Sequence, residues 1–379
     1  MILQRLLLSA GIAVVCCQCS YSKWLEISNV KFRQEPTELA GPKTIIEYDI
    51  NDTNISPASP AYVFVRYSKD SGASWQLVPM GSLRGNGFDI VASGGHKTII
   101  WWGTGQTSFV DSNQVEVRVR GISMVRIPAG KFTIKSLPAG GRDESRDATE
   151  PSSDLRLFYM AKYETTISMY TDYLNELGDE GAGWNERMTN SDRCGIVRDN
   201  DHTYSVMPGR DDYPITYISW YDAGNFLQWC GLRLPTEAEW EKALRGGLYL
   251  DGDQDKKQPN PMPERRYPWG NEAPDADGVF RCNCDGEEDG FACTAPVGSF
   301  DKFAGPYGAC DLAGNVAEWT LDWYSTSFHA GLDGFRMVRG GSWMAVPSAC
   351  DAITGATQLP LKESSIMGFR GAKTPTKSP

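Results

Sequence analysis

The stretch 233–241, Arg-Leu-Pro-Thr-Glu-Ala-Glu-Trp-Glu, contains the clearest helix start in this chain. Thr236 and Glu239 are spaced as a capping box, in which each side chain satisfies a free backbone N–H group of the first turn. This pattern predicts a helix that runs to about Arg245 and ends at Gly246-Gly247. Beyond it Gly, Pro, Asp and Trp dominate, which predicts a loop-rich region that ions or disulfides hold together.

Two further helices are predicted upstream of this stretch. Ser219 can cap a helix from Trp220 to Cys230, which a glycine closes. The segment from Glu164 to Gly178 has apolar residues at helical spacing, and Thr165 or Thr166 can cap its first turn.

Residues from about Trp24 to Gly121 show a different pattern, in which short alternating apolar runs recur between turn residues. Such runs are typical of β-strands. The clearest are 44–48, 62–67, 98–102 and 115–119. About seven strands of this kind predict an antiparallel sandwich of immunoglobulin or fibronectin type.

The predicted fold class is therefore two domains. An all-β sandwich at 24–121 precedes an α+β, loop-rich domain at 123–373, and a polar tail occupies 374–379. Within the sandwich, 68–75 reads Ser-Lys-Asp-Ser-Gly-Ala-Ser-Trp, the pattern of an Asp-box hairpin turn. It occurs once, without a surrounding repeat, and we interpret it as a structural turn and not as a glycan site.

The formal net charge of -11 argues against nucleic-acid binding, which requires a basic surface. Residues Met1 to Ser20 are predicted to be a signal peptide, because Arg5 precedes an apolar stretch that is too short to span a bilayer. Cys16 or Cys17 could receive a lipid, and plain secretion is the alternative. We expect a secreted or envelope-anchored protein that contacts the membrane only through such a lipid anchor.

The chain has 10 cysteines, three of them in the leader, so an odd number stays in the mature chain and at least one thiol is unpaired. An oxidising compartment favours disulfides over zinc sites. For Cys282, Cys284 and Cys293 we therefore expect a disulfide, with Cys310 as a candidate partner, and zinc as the alternative. The 3 histidines are far apart and show no metal-ligand spacing.

Eight segments of the second domain, in order, resemble the formylglycine-generating (sulfatase-modifying) enzyme family. They are 124–130, 163–166, 214–223, 233–241, 267–271, 314–319, 339–343 and 368–370. The resemblance implies a large, loop-rich relative of the C-type lectin fold. The family includes copper-dependent oxidases of sulfatase cysteines, ergothioneine-forming sulfoxide synthases and paralogues without known catalysis, so the fold does not fix the function. The few histidines exclude the ergothioneine-forming reaction.

The resemblance also implies where catalytic residues lie. In the oxidases two cysteines follow an Arg-Gly-Gly-Ser motif and bind Cu(I) as thiolates. Here the motif is 339–342, the first cysteine position is Ala345 and the second is Cys350. A methyl group cannot bind copper, so we expect copper not to bind in the family manner. Cys350 and Ser342 are the candidate catalytic residues, and the alternative for Cys350 is a buried or disulfide-bonded cysteine.

Two structural calcium loops are a further implication of the resemblance, because calcium takes carboxylate, amide and carbonyl oxygens of this kind. The implied ligands are Asn283, Cys284, Asp289 and Phe291 in the first loop and Asp311, Gly314, Val316 and Glu318 in the second. The alternative for Asp311 and Glu318 is ordinary hydrogen bonding within a turn.

Three functions are compatible with these features. The first is a non-oxidase paralogue that binds an exported peptide, protein or glycan in a groove around Ser342, Trp343 and Trp319. The second is an oxidase of sulfatase cysteines with altered metal ligation. The third is a structural component of a surface complex. Ala345 favours the first and third over the second.

Overall fold

The computed structural model describes residues 13–14, 24–35, 43–102, 115–132, 153–178, 183–324 and 334–375. The predicted leader, apart from residues 13–14, and the polar tail, apart from residues 374–375, lie outside these ranges. Within them, no helix combines the length and apolar character that a membrane crossing requires. The chain divides into two compact units, and the division falls between Ser123 and Met124.

The first unit is built from β-strands. They are β1 (Ala13–Val14), β2 (Ile27–Glu35), β3 (Lys43–Ile50), β4 (Ala61–Ser68), β5 (Gln76–Leu77), β6 (Leu83–Gly85), β7 (Asp89–Val91), β8 (Gly95–Trp102) and the first part of β9 (Glu116–Ile127). One sheet has the order β1-β2-β3-β8-β6. In the other, β4 pairs with residues 116–123 of β9 on one side and with β5 and β7 on the other.

Both sheets contribute side chains to one buried core. Tyr48 of β3 and Trp101 of β8 pack with Val63 and Val65 of β4 in this core. All strand pairs within the unit are antiparallel, so the predicted all-β sandwich is confirmed.

The Asp-box forms the hairpin between β4 and β5. The Asp70 carboxylate accepts hydrogen bonds from the Ser74 amide at 2.8 Å and the Ser74 hydroxyl at 2.6 Å. The indole nitrogen of Trp75 donates to the Gly72 carbonyl at 3.1 Å. These bonds account for the spacing of the motif within one turn, as the structural interpretation predicts.

The second unit has three helices at the predicted places, α1 (Ile167–Leu177), α2 (Trp220–Cys230) and α3 (Glu237–Arg245). Thr166 caps α1, and capping boxes begin α2 at Ser219 and α3 at Thr236. The remaining strands are β10 (Gly130–Phe132), β11 (Ser153–Leu155), β12 (Phe158–Ala161), β13 (Ile196–Arg198), β14 (Tyr204–Val206), β15 (Ala317–Trp323), β16 (Arg336–Arg339), β17 (Gly355–Gln358), β18 (Met367–Gly368) and β19 (Ala372–Lys373).

The strands of this unit form small sheets. The largest has the order β17-β16-β15-β18, and β18 runs parallel to β15. Strand β12 lies between residues 124–127 of β9 and β19. The rest is mostly loop, as predicted.

Buried charged side chains of α3 form an ion pair and hydrogen bonds that hold neighbouring backbone segments in place. Arg245 and Glu241, both fully buried, form an ion pair at 2.7 Å. The Lys242 amine donates to the carbonyls of Pro128 and Gly130 at 2.7 and 2.8 Å, and burial lowers its pKa to about 8. Because buried carbonyls need donors, these side chains stabilise the backbone around the start of β10.

Candidate functional site: a buried thiol cluster beside two loops

The turn after β16 carries the candidate Ser342. Ser342 and Trp343 are buried, with 3% and 8% of their surface exposed. The Ser342 hydroxyl accepts a hydrogen bond from the Met344 amide, and the Trp343 indole donates to the Ser365 carbonyl at 3.0 Å. Trp319 is fully buried. The expected binding groove around these residues is therefore wrong, because their side chains pack in the core.

Cys350 lies directly beneath this turn and is fully buried. A Cβ atom added to Gly341, whose φ is +73°, would lie 2.7 Å from the Cys350 sulfur. Only a glycine at 341 therefore lets this sulfur approach the turn so closely. Ala345, at the first cysteine position of the oxidases, packs half-buried against the cluster that contains Cys350.

Two cysteines from another segment meet Cys350. Cys282 and Cys284 are buried and belong to the same cluster, and the Cys282 thiol hydrogen-bonds to the side chains of both Cys284 and Cys350. We call Cys282, Cys284 and Cys350 the thiol cluster. The hydrogen bonds to Cys284 and Cys350 raise the pKa of Cys282, and the bond to Cys282 lowers the pKa of Cys284.

The structure does not pair this segment with Cys310. All seven cysteines of the described residues are free thiols. The Cys310 sulfur lies 3.7 Å from the Gly308 carbonyl, and burial followed by the charge of Asp311 raises its pKa to about 12. The sequence analysis names Cys310 as a candidate disulfide partner, whereas the fold places Cys350 in one cluster with Cys282.

The first predicted calcium loop contains one unsatisfied oxygen. Asn283 is almost fully buried, and its amide nitrogen donates to the Cys293 carbonyl at 2.8 Å and to Asn315 at 3.1 Å. Its side-chain oxygen has no hydrogen-bond partner. A buried amide oxygen of this kind fits a calcium ligand.

Asp289 shapes the same loop. Its carboxylate accepts hydrogen bonds from the backbone amides of Cys284 at 3.0 Å and Phe291 at 2.9 Å. Burial raises the pKa of Asp289. The four predicted residues of this loop are thus brought together, with the carboxylate held by the backbone of its neighbours.

In the second predicted loop the two carboxylates have protein partners. Asp311 accepts a hydrogen bond from the Gly298 amide at 2.6 Å. Both Glu318 oxygens accept from Arg370, at 2.6 and 2.7 Å, and one also accepts from the Trp240 indole at 3.0 Å. Glu318 therefore acts here as the partner of Arg370 and does not fit a free calcium ligand.

The sequence reasoning missed Glu164 as a member of this site. The buried Glu164 carboxylate accepts from the Asn315 side chain at 2.6 Å and from the Val316 amide at 3.2 Å. Burial, then the charges of Asp311 and Glu318, raise the pKa of Glu164 well above its ordinary value. The segments 163–166 and 368–370 carry the family resemblance and contain Glu164 and Arg370, but a linear motif does not show that the charge of Arg370 acts on Glu164 as well as on Glu318.

The two predicted loops also pack against each other. The Asn315 amide donates to the Asn283 carbonyl at 2.8 Å, and a Cβ atom on Gly314 would lie 2.0 Å from that carbonyl oxygen. Within the part of the chain that the structure describes, no three His, Cys, Asp or Glu side chains are arranged to hold one metal ion. A calcium ion would therefore depend on amide and backbone oxygens.

The comparison with protein families decides the assignment of this unit. Residues 109–375 match the sulfatase-modifying factor enzyme 1-like domain. The chain belongs to the sulfatase-modifying factor family. The loop-rich second unit, with its few helices, has the fold class that the resemblance implied.

Relatives within the family differ in their named activities. A formylglycine-generating enzyme of Thermomonospora curvata is 36% identical over 45% of this chain and 59% of its own length. That of Bos taurus is 31% identical over 66% of this chain and 74% of its own. An inactive Cα-formylglycine-generating enzyme 2 of Mus musculus is 38% identical over 66% of this chain and 86% of its own. The chain thus spans 59% of the Thermomonospora curvata relative, and identity alone does not separate active from inactive members.

Proposed function

We propose that this chain is an exported sulfatase-modifying factor family member that lacks the family's cysteine oxidation and binds a peptide or protein ligand. The observation that carries the proposal is the pair of positions 345 and 350. Ala345 offers no thiol, and Cys350 has no exposed surface on which a substrate cysteine could act. A binding role requires neither position.

An exposed apolar surface supports the binding role. Leu321 and Trp323 lie two residues apart on β15 and are 39% and 52% exposed. The Arg336 guanidinium stacks on the rings of Trp323 and Trp220, at 3.3 and 3.7 Å from their centroids.

The same surface extends to the segment 359–361. The Trp220 amide donates to the Pro360 carbonyl at 2.9 Å, which places this segment beside the start of α2. Leu361 is 76% exposed. We call Leu321, Trp323 and Leu361 the apolar surface; Arg336, which is itself buried, packs against Trp323. Because it mixes aliphatic side chains with an aromatic–arginine stack, it suits a peptide with apolar residues better than a glycan.

A displayed library of random 15-residue peptides tests this role. We expect wild-type protein to enrich a shared apolar motif, and Trp323→Ala to weaken binding of the selected peptide at least tenfold. Leu248→Ala, a residue that is 38% exposed elsewhere in the unit, is the matched control and should bind as wild type. No enrichment, or equal binding by Trp323→Ala, would contradict the proposal.

The second candidate is an oxidase of sulfatase cysteines with altered metal ligation, and the thiol cluster favours it, because Cys282 supplies a second sulfur beside Cys350. The discriminating assay incubates the protein with Cu(I), oxygen and a peptide that carries Cys-x-Pro-x-Arg. We expect no aldehyde product. Turnover that Cys350→Ser abolishes would establish the oxidase and overturn the first candidate.

We further propose that the first loop, with Asn283 as a ligand, holds a structural calcium ion. Its unpartnered buried oxygen supports this assignment. Such an ion would fix the loop and take no part in chemistry. Export is likewise a proposal, supported by the sequence of residues 1–20. Cell fractionation of wild type and of a variant without residues 2–20 tests it, and equal distribution of the two would contradict it.

A further inference from the structure

Arg336 lies between two tryptophan rings beside the apolar surface. Its guanidinium carbon is 3.3 Å from the ring centroid of Trp323 and 3.7 Å from that of Trp220. Trp323 is 52% exposed, whereas Arg336 is only 6% exposed. The guanidinium therefore lies one aromatic ring beneath the surface, and stacking on both faces holds its plane in place.

One side of this guanidinium is used by the fold and the other side is not. The Nη1 atom donates to the Leu321 carbonyl at 2.6 Å. The Nε atom is buried and has no hydrogen-bond partner. Nη2, on the same side of the planar group as Nε, forms no hydrogen bond with any residue that the structure describes. Two such N–H groups form a fork that fits both oxygens of a carboxylate.

The positive charge of Arg336 also lacks a close partner. Among the described residues, no carboxylate forms an ion pair with it. The charge of Asp322 acts on Arg336, but the Asp322 carboxylate accepts its hydrogen bond from the Glu237 amide, at 2.6 Å. Burial lowers the pKa of Arg336 more than the charges of Tyr221 and Asp322 raise it. Because an uncompensated buried charge costs free energy, an anionic ligand group would stabilise this arrangement.

We propose that Arg336 binds the carboxylate of a glutamate or aspartate side chain within a peptide ligand that has apolar residues on both sides of this acid. The proposal rests on the peptide-binding role proposed above and names the residue that the ligand must contain. It makes Arg336 a residue that determines specificity, while the apolar surface supplies most of the contact area.

The neighbours of Arg336 favour an acid inside the peptide over a peptide end. Trp323 lies on one face of the guanidinium and Trp220 on the other. The Trp220 amide donates to the Pro360 carbonyl at 2.9 Å, next to the exposed Leu361. An internal acidic residue therefore finds apolar protein surface for both of its neighbours, whereas a terminal carboxylate has a neighbour on one side only.

The charge of the site favours a carboxylate over a phosphate. One guanidinium offers one positive charge, and the chain has a formal net charge of -11. A phosphate group would carry about two negative charges at neutral pH, so it would meet more repulsion from the acidic protein than a carboxylate would.

The test uses a displayed peptide library in which apolar residues flank one randomised central position. Wild type should enrich glutamate or aspartate at that position. In a selected synthetic peptide with an amidated C-terminus, exchange of glutamate for glutamine should weaken binding at least about tenfold, because a charge-assisted fork is lost.

Variants of the protein connect this preference to Arg336. Arg336→Met keeps an unbranched side chain between the two rings and should bind the glutamate and glutamine peptides equally well. Arg84→Met is the matched control, because Arg84 is an exposed arginine of the first unit that donates to the Gly81 and Leu83 carbonyls. It removes the same charge and should keep the wild-type preference.

The peptide comparison on wild type stays decisive if Arg336→Met fails to fold. Apolar peptides that bind wild type without any preference at the central position would overturn this inference and leave the peptide-binding role intact. An acidic preference that Arg336→Met retains, or binding that needs a free peptide C-terminus, would also overturn it. A library that yields no binder would contradict both the inference and the peptide-binding role.

Discussion

The backbone amide of Asp285 donates a 2.9 Å hydrogen bond to the carbonyl of Ala345. This bond joins the cysteine segment to the position where the oxidases carry their first thiol. A chain that lacks sulfur at 345 thus has sulfur at Cys282 directly beside Cys350. This chain therefore also has two thiols at this place, but one of them comes from a different segment than in the oxidases.

Replacement of Arg370 by methionine should strongly destabilise the second unit. The change removes the partner of buried Glu318 and leaves that charge uncompensated, which costs about 3–5 kcal/mol. Urea unfolding of the full chain measures the effect. Lys257→Met is the control, because both side chains of the Lys257–Asp255 pair are exposed and the variant should lose at most about 1 kcal/mol. Equal losses in the two variants would contradict the prediction.

Two glycine substitutions should have opposite effects. Gly314 has a φ of +75°, and a Cβ there would lie 2.0 Å from the Asn283 carbonyl oxygen. Gly314→Ala should therefore cost at least about 2 kcal/mol of unfolding free energy. Gly224 lies inside α2 with nothing within 4 Å of such a Cβ, so Gly224→Ala should stabilise by up to about 1 kcal/mol. Thermal unfolding of both variants measures these effects. A Gly314→Ala protein that is more stable than wild type would contradict the close packing of Gly314 against the Asn283 carbonyl.

Calcium removal should lower the melting temperature of the second unit. An ion at a hundred times its dissociation constant contributes about 2.7 kcal/mol, which corresponds to roughly 5–10 °C in a unit of this size. Asn283→Ala should abolish the shift caused by a calcium chelator, because it removes the unpartnered oxygen. Asp251→Asn is the control, since the half-buried Asp251 carboxylate accepts hydrogen bonds from the backbone amides of Lys257 and Gln258. If a calcium chelator still lowers the melting temperature of Asn283→Ala, the ion binds at another site.

Asp70 should make the first unit sensitive to acid. Hydrogen bonds from Ser74 and Ser68 lower the pKa of Asp70 to about 2, below the ordinary value of about 4. A depressed carboxylate pKa stabilises the fold above the unfolded value, and this stabilisation is lost as the pH falls through the folded value. Its contribution should thus be complete above about pH 4 and should fade towards pH 2.

Calorimetry of the full chain tests this pH dependence. Asp70→Asn should melt at a lower temperature than wild type near pH 6, and the two proteins should converge as the pH approaches 2. Asp52→Asn, a half-buried aspartate of the same unit whose carboxylate accepts from the Asn54 amide, serves as the control without this network of serine bonds. A difference between Asp70→Asn and wild type that is constant with pH would count against the assignment.

Local patterns predicted the helices well. The Thr236–Glu239 capping box and the Ser219 cap each mark a helix start that the structure shows, because a cap is satisfied by residues three positions apart. The alternating apolar runs of the first unit also predicted its strands, because a period of two residues is a local pattern as well. The end of α2 at Gly231 was also predicted, because a glycine readily adopts the left-handed backbone that closes a helix.

The site was predicted only in part. The Asp289 loop was found, since its bonds join neighbouring residues. Glu164 was missed, and Glu318 was assigned to calcium although it pairs with Arg370. These relations connect residues that are far apart in the chain, and sequence spacing contains no information about which of several buried acids an arginine reaches.

The sequence by itself determined the class of each domain, the positions of the helices, the family and the missing thiol at Ala345. All of these depend on residue identity or on contacts within a few positions. Only the tertiary structure decided that Trp319 and Trp343 are core residues, that Arg370 neutralises Glu318, and that Cys282 meets Cys350. The physical reason is that burial and the pairing of distant side chains are properties of the packed chain, fixed by which loops the core brings together.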